Sequence, residues 1–220
     1  MKPEQALTPL QLRVLGVLVE KAMTTPDQYP LSLNALTAGC NQKSNRDPVM
    51  ALEEEQVLEA VDQLRQAGLA YAVHTSGGRV QRYQHNAREG LELGPEALPL
   101  MTELWLRGTQ TAGELRSRVQ RMKRFDSLQQ LQACLDQLVQ EQWVERHPPA
   151  AGSRAPRYRH GWDQRPLPEP ASKPAPTAPA KSATGQDWEN RLAALEARVA
   201  SLEAALGRNP QPDSESAEDA

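Results

Sequence analysis

The stretch that decides the fold occurs twice in the chain, first as Arg79-Val80-Gln81-Arg82-Tyr83-Gln84-His85 and again as Arg154-Ala155-Pro156-Arg157-Tyr158-Arg159-His160. Both copies read Arg-x-x-Arg-Tyr-x-His. Upstream lies a matching helical pattern, with Asp62-Gln63-Leu64 in the first copy and Asp136-Gln137-Leu138 in the second. The helices are offset by 74 positions and the Arg-Tyr-His motifs by 75, so the second copy holds one extra residue. A match of this length indicates a duplicated structural unit.

The first copy is predicted to form three helices followed by a hairpin. Thr8–Gln11 is a capping box with proline at the first helical position, and Ser32–Ala38 fits a short second helix. A third helix is predicted from Glu53 to Ala67, ended by Gly68. Residues 69–85 alternate as two strands around a Ser-Gly-Gly turn. This order of elements is typical of a winged helix.

The second copy repeats the same order. Its first helix is predicted from Gly94 to about Leu106. Thr111–Glu114 is a capping box for the second helix, and Ser127–Gln130 caps the third. Residues 143–146 and 157–161 supply the two strands of its wing. A second winged helix is therefore expected.

The predicted fold class is mainly α with small β-hairpins: two tandem winged helix-turn-helix domains plus a C-terminal coiled-coil helix. The domains are residues 1–90 and residues 91–162. Residues 163–186 are rich in proline and alanine, which predicts a disordered linker. Residues 187–206 are predicted to form the coiled-coil helix, and residues 207–220 an acidic disordered tail.

The coiled-coil prediction depends on apolar residues spaced alternately by four and three. Arg191 and Arg198 fall at g positions, and Glu196 and Glu203 at the following e positions, so each arginine would face a glutamate in a parallel homodimer. The alternative is a single amphipathic helix that folds back on a domain. The predicted dimer seam comprises Trp188, Leu192, Leu195, Val199, Leu202 and Leu206.

Charge is distributed unevenly along a chain whose formal net charge is −3. Residues 107–162 hold 10 Lys and Arg against 5 Asp and Glu, whereas residues 163–220 hold 6 against 10. Residues 1–90 are balanced, with 9 against 10. A local basic excess favours nucleic-acid binding. The second repeat is therefore the candidate for contact with double-stranded DNA.

The third helix of the first repeat carries the opposite charge. A winged helix commonly lays its third helix in the major groove and its wing along the backbone. Here that helix begins Glu53-Glu54-Glu55 and adds Glu59 and Asp62. Early glutamates complement the helix dipole, but the later carboxylates have no such role and would repel phosphate. We expect this helix to face solvent or a protein partner.

The candidate DNA contacts are cationic side chains in helices, loops and wings. Several of them have an alternative use, in ion pairs with Asp126, Glu141 or Glu145 or with an acidic partner. The loop candidates could instead cap helices, and Asp47-Pro48 favours a helix start there. Glutamines 129, 130 and 132 could pair with adenine edges. The cationic candidates are Arg116, Arg118, Arg121, Lys123, Arg124, Arg154, Arg157, Arg159, Lys43 and Arg46.

The aromatic and histidine positions of the repeated motif have a structural interpretation. Strand alternation directs tyrosine and histidine to the same face. Tyr83 and Tyr158 are expected to pack on the third helix, with their hydroxyls reaching a partner or water. His85 and His160 are expected to be strand-end residues rather than ligands.

No recognisable catalytic motif is present in the sequence. It has no G-x-S-x-G, phosphate loop, dinucleotide fingerprint or zinc-ligand spacing. Cys40 and Cys134 are expected to be reduced thiols. We therefore expect a protein that is not an enzyme and holds no metal or cofactor. The lack of a signal-peptide core and of a long apolar stretch predicts a cytoplasmic protein with no membrane contact.

Two longer stretches carry a family resemblance. Residues 41–50, NQKSNRDPVM, and residues 106–118, LRGTQTAGELRSR, resemble the two signature stretches of the bacterial YceH-like family. The resemblance covers about residues 5–162. It implies tandem winged-helix domains and a bacterial cytoplasmic setting, and it implies no particular activity.

Two functions are compatible with these patterns. One is a dimeric DNA-binding regulator that uses the basic second repeat and its wing. The other is a protein-interaction scaffold that uses winged-helix surfaces without contacting DNA. The two repeats carry opposite charge on corresponding elements, so the sequence leaves both open.

Overall fold

The computed structural model describes residues 6–74, 80–150 and 153–166, together with residue 193 and residues 196–202. The chain divides into one unit of residues 1–171 and another of residues 172–220. Both sequence repeats lie in the first unit.

Helix α1 (Pro9–Thr24) is the central element of the first unit. Thr8 accepts a hydrogen bond from the Gln11 amide, and the Gln11 side chain accepts one from the Thr8 amide at 2.7 Å, which confirms the predicted capping box. Residues 12–20 are buried on every face of the helix. A helix buried all round must be covered by neighbours on all sides.

The first repeat continues as predicted, with one added strand. After a short 3₁₀ turn (Pro26–Gln28) come β1 (Leu31–Ser32), α2 (Leu33–Cys40), α3 (Glu54–Gln66), β2 (Ala70–His74), β3 (Gln81–His85) and α4 (Ala87–Gly90). Gly68 ends the third helix with a φ of 70°, the left-handed stop predicted for it. The sheet order is β1-β3-β2, and all pairs are antiparallel.

The second repeat has the same topology. Its elements are α5 (Ala97–Arg107), β4 (Gln110–Thr111), α6 (Ala112–Val119), α7 (Leu128–Gln140), β5 (Val144–His147) and β6 (Arg157–His160). Its sheet order is β4-β6-β5, again antiparallel. The side chains of Thr111 and Ser127 accept hydrogen bonds at the N-termini of α6 and α7, as predicted.

Both sheets have three strands, so the fold is mixed α/β rather than helices with simple hairpins. The added strands β1 and β4 have two residues each, too few for an alternating pattern to be recognised. Their second residues, Ser32 and Thr111, also cap the helix that follows. They pair with Arg82 and Arg157 of the repeated motif. One residue therefore joins the sheet to the second helix in each repeat.

No helix begins at Asp47-Pro48, so that prediction was wrong. The segment instead connects the two repeats. The Asp47 amide donates to the backbone oxygen of Leu106 at 2.9 Å, and the Pro48 oxygen accepts from the guanidinium of Arg13 at 2.6 Å. The Pro48 oxygen and the Leu52 amide would pair in the first turn of such a helix, but they bond instead to Arg13 and to the side chain of Asn41.

A single apolar core joins the two repeats. Helix α1 packs along α5, which is also buried from Leu98 to Leu106. Gly16 allows the close approach, because a Cβ there would lie 2.9 Å from Cδ2 of Leu106. The first helix of each repeat is thus the packing surface for the other.

In the second unit, residues 196–202 are helical. Val199 is 51% exposed and Leu202 is 62% exposed. The other predicted seam residues, Trp188, Leu192, Leu195 and Leu206, lie outside the described residues, as do most of the predicted linker and the whole acidic tail. Within the described parts of the chain, no helix is long and apolar enough to cross a membrane.

Candidate functional site

Three cationic side chains of the second repeat surround the turn that leads into α7. Arg116 on α6 donates to the backbone oxygen of Asp126 at 3.3 Å. Lys123 lies 3.8 Å from Glu96, whose carboxylate also accepts a hydrogen bond from the first turn of α7. Arg124 is exposed. These contacts place positive charge at the N-terminal end of α7, where the helix dipole has the same sign.

The wing of the second repeat uses two of its predicted arginines internally. Arg159 on β6 forms an ion pair with Glu145 on β5 at 2.6 Å, and that hydrogen bond lowers the pKa of Glu145. This is the alternative use that the sequence left open. Arg157 donates to the backbone oxygen of Thr109 at 3.2 Å. Arg154, just before β6, is exposed.

The motif tyrosines and histidines lie where the sequence predicts. Tyr158 is fully buried, and its hydroxyl accepts a hydrogen bond from Gln132 of α7 at 2.5 Å. That glutamine is therefore engaged with its own wing rather than presented to a base edge. Tyr83 is also buried. His85 ends β3, and His160 ends β6 beside the core, where burial lowers the pKa of His160 to about 4.

Arg46 lies in the interior, contrary to its predicted role on the surface. Its guanidinium is 2.6 Å from the carboxylate of Glu20, and both side chains are fully buried. It also donates to the backbone oxygens of Gly39 and Asn45. A buried and paired guanidinium cannot reach a phosphate. Lys43, three residues earlier, is exposed.

Arg121 is exposed, and its guanidinium pairs with carboxylates of both repeats. It lies 2.5 Å from Glu20 of α1 and 3.5 Å from Glu103 of α5. Arg107 lies 3.6 Å from Glu103. We call Glu20, Arg46, Glu103, Arg107 and Arg121 the inter-repeat charge cluster. It links both repeats through ion pairs in which Glu20, Glu103 and Arg46 are buried and Arg107 and Arg121 are partly exposed.

The two carboxylates of this cluster have pKa values displaced in opposite directions. Burial raises the pKa of both groups. At Glu20 the hydrogen bond and charge of Arg46 outweigh burial, so its pKa is below the ordinary value. At Glu103 burial outweighs Arg121 and Arg107, so its pKa is raised. Displaced pKa values also occur in structural ion-pair networks, so these displacements do not by themselves indicate catalysis.

Arg118 is the remaining helix candidate and is partly engaged. It donates to the side-chain oxygen of Gln110 at 2.6 Å and lies 3.6 Å from Glu114 on its own helix. Among the predicted contacts, Lys43, Arg124 and Arg154 are exposed, and Lys123 has only a long pair near the surface. Arg121 is exposed as well, but it is paired with Glu20 and Glu103. Fewer of the predicted cationic side chains are therefore available at the surface for contact with DNA.

A second feature between the repeats, the inter-repeat cleft, was not predicted. It has a volume of about 480 Å³ and is lined by residues of both repeats. Its walls include Leu12, Met50 and Trp162, and the polar side chains at its border include Arg13 and His160. The available signal was a lone cation, Arg13, within the otherwise apolar run of α1. Its buried position could not be read from the sequence.

These observations define the class of the protein: a duplicated α/β module, whose copies share three helices and a three-stranded antiparallel sheet and are joined through one apolar core. The chain belongs to the family described as "Protein of unknown function, DUF480", which residues 7–153 match. This agrees with the resemblance to the YceH-like family.

The chain is also similar to bacterial proteins named UPF0502. It is 42% identical to one from Geotalea uraniireducens over 201 residues, which are 90% of each chain. It is 43% identical to one from Geobacter sulfurreducens, over 90% of this chain and 91% of the relative. With one from Vibrio vulnificus the identity is 43%, over 91% of this chain and 93% of the relative. The similarity thus extends over nearly the whole length of these relatives.

Proposed function

We propose that this protein is a non-enzymatic, winged-helix DNA-binding regulator that contacts duplex DNA through its second repeat. The observation that carries the proposal is the placement of Arg116, Lys123 and Arg124 around the start of α7. In a winged helix the third helix enters the major groove. Cations at the end of that helix would reach the phosphates that flank it.

The exposed face of α7 supports this orientation. Gln129 and Gln137 are exposed on it, and Leu128 is 43% exposed at its first turn. The helix itself contains no lysine or arginine, so phosphate contacts would come from the preceding turn and from Arg154 on the wing. In the first repeat the corresponding end of α3 carries exposed Glu54 and Glu55. Only the second repeat is therefore compatible with a phosphate backbone.

The test is duplex affinity measured at several salt concentrations. Contact with about four to six phosphates predicts a log–log slope of roughly −4 to −5. In the variant Lys123→Gln/Arg124→Gln the slope should decrease in magnitude by about 2, because two contacts are lost. The matched control is Arg65→Gln/Arg88→Gln, which removes two exposed positive charges from the first repeat and should leave the slope unchanged.

Two results would contradict the DNA-binding proposal. One is absence of duplex binding at low salt. The other is an equal effect of the two double variants, which would mean that only total charge matters. Absence of binding would favour the second function, and equal effects would mean that DNA contact is not specific to the second repeat.

That second function is a protein-interaction scaffold. The observation that favours it is the surface of α3, where Glu55, Glu59, Asp62 and Gln63 surround the half-buried Leu58. An apolar side chain ringed by carboxylates fits a basic protein partner better than DNA.

We further propose that the protein acts as a homodimer in the bacterial cytoplasm, joined through residues 187–206. Val199 and Leu202 are exposed on a described helical segment, which supports an apolar seam that would pack against a second copy of the chain.

A further inference from the structure

The inter-repeat cleft has the dimensions and the chemistry of a small-molecule site. Ligand sites in proteins commonly enclose about 300–1,000 Å³ and combine apolar walls with a few polar groups. This cleft, of about 480 Å³, lies between the start of α1, the connecting segment around Pro48, α5 and the chain that follows β6. Trp105 and Trp162 contribute aromatic surface to its walls.

Arg13 is an unusual cation to find beside such a cleft. It is 1% exposed, and its terminal nitrogens donate to the backbone oxygens of Cys40 at 3.0 Å and Pro48 at 2.6 Å. Within the described residues, no carboxylate lies at ion-pair distance from it. Buried arginine is normally paired with an opposite charge, because an uncompensated buried charge is costly. Burial lowers the pKa of Arg13 and Asp47 on the cleft wall raises it, so this carboxylate compensates the buried charge only in part.

Unpaired nitrogen atoms of three side chains border this cleft. They are Nε of Arg13, Nε1 of Trp105 and Nδ1 of His160, each buried and without a hydrogen-bond partner among the described residues. The Trp105 and His160 side chains are 5% and 4% exposed. A buried polar atom without a hydrogen-bond partner destabilises the folded protein. All three side chains belong to residues that line this one cleft, and Nε of Arg13 and Nε1 of Trp105 are hydrogen-bond donors.

We propose that the inter-repeat cleft binds a small organic anion, a carboxylate carried on an apolar or aromatic body. The carboxylate would supply the missing charge for Arg13 and accept hydrogen bonds at the polar border, while the apolar body would pack on Trp105 and Trp162. This site is independent of the DNA-binding proposal, because its residues are not among the proposed DNA contacts.

The alternatives fit this cleft less well. An ordered water could accept a hydrogen bond from an N–H group, but it would leave the charge of Arg13 only partly compensated. A polyphosphate would need several cations, whereas the other cation on the cleft wall, Arg165, is bound to Asp163 at 2.6 Å. Asp47 also lies on the cleft wall, so a singly charged carboxylate would meet less repulsion there than a polyphosphate.

The experiment compares two probes of the same shape on the full chain. Binding of 1-naphthoate and of the neutral 1-naphthalenemethanol is measured near neutral pH by calorimetry, with tryptophan fluorescence as a second readout, because two tryptophans line the cleft. We expect saturable binding of one naphthoate per chain, at least about tenfold tighter than the alcohol, since a charge-assisted hydrogen bond exceeds a neutral one by more than 1.4 kcal/mol.

Variants locate the binding. Met50→Trp fills the cleft without touching Arg13, and it should weaken naphthoate binding by about tenfold or more. The matched control is Met23→Trp, the same exchange at a half-buried residue outside the cleft, which should bind as the wild type does. Arg13→Met should remove the preference for the anion. Because Arg13 also donates hydrogen bonds to two backbone oxygens, its replacement would also disturb the fold. Trp105→Phe is a second variant with a smaller change in structure, and it should weaken naphthoate binding.

Three results would overturn the proposal: no saturable binding of either probe up to about 1 mM, equal affinity for the anion and the alcohol, or equal effects of Met50→Trp and Met23→Trp. Because none of these measurements includes DNA, they leave the DNA-binding proposal to be judged separately.

Discussion

Glu20 and Glu103 are buried carboxylates, one on each of the two central helices, and Arg121 contacts both. Glu20 has one partner that Glu103 lacks. Arg46 binds Glu20 through both of its terminal nitrogens, at 3.1 and 2.6 Å. That difference is enough to lower the pKa of one and raise the pKa of the other.

The opposite pKa displacements predict opposite pH dependence for two matched variants. The lowered pKa of Glu20 contributes stability that is present above the unfolded pKa and lost as pH falls through the folded pKa. Glu20→Gln should therefore reduce the free energy of unfolding more near neutral pH than in acid. The raised pKa of Glu103 has the other sign, because its contribution is present below the unfolded pKa and lost as pH rises through the folded pKa. The free energy of unfolding of Glu103→Gln, relative to that of the wild type, should therefore be higher near neutral pH than in acid.

Urea unfolding of wild type and both variants, at about pH 7 and about pH 3.5, measures these differences. Each variant serves as the control for the other, since both remove one carboxylate from the same cluster. Differences of the same sign in the two variants would show that the two groups are not distinguished by Arg46.

At the scale of elements, the contact between α1 and α5 depends on one small residue. Gly16 lies against Leu106, whereas Gly113 on α6 has open space around its Cα. Alanine generally stabilises a helix interior over glycine by about 1 kcal/mol. The same substitution at these two sites therefore separates helix propensity from packing.

Gly113→Ala should raise the free energy of unfolding by about 0.5–1 kcal/mol. Gly16→Ala should show less gain or a net loss, because its Cβ would approach Cδ2 of Leu106 to 2.9 Å and that side chain would have to move. Chemical denaturation measures both values. An equal gain in the two variants would mean that the α1–α5 contact tolerates the extra atom without strain.

At the scale of the whole molecule, the proposed homodimer depends on residues 187–206. Removing them should lower the mass measured by light scattering from that of a dimer to that of a monomer, because the seam supplies the apolar contact between copies. A shortened protein that stays dimeric would place the interface on the repeats, and a monomeric full chain would refute dimerisation.

Much of the local structure was predictable because its causes are local. Thr8, Thr111 and Ser127 cap helices through residues three positions away, and Gly68 ends α3 through its own φ. The repeated Arg-Tyr-His motif predicted one strand in each sheet, because the alternation of a strand is visible within a few residues. The short strands β1 and β4 were not predicted, because two residues are too few to show an alternating pattern.

The candidate sites depended on contacts that the sequence does not display. Arg46 and Arg121 resemble surface cations in the chain, but they meet Glu20 from 26 and 101 positions away once α1 and α5 pack together. Arg13 and Trp105 likewise border one cleft only because the repeats share a core. The sequence alone determined the duplication, the helix caps at Thr8, Thr111 and Ser127, and the family, because these follow from local patterns. The tertiary structure decided which charges are buried, because burial depends on the docking of distant segments.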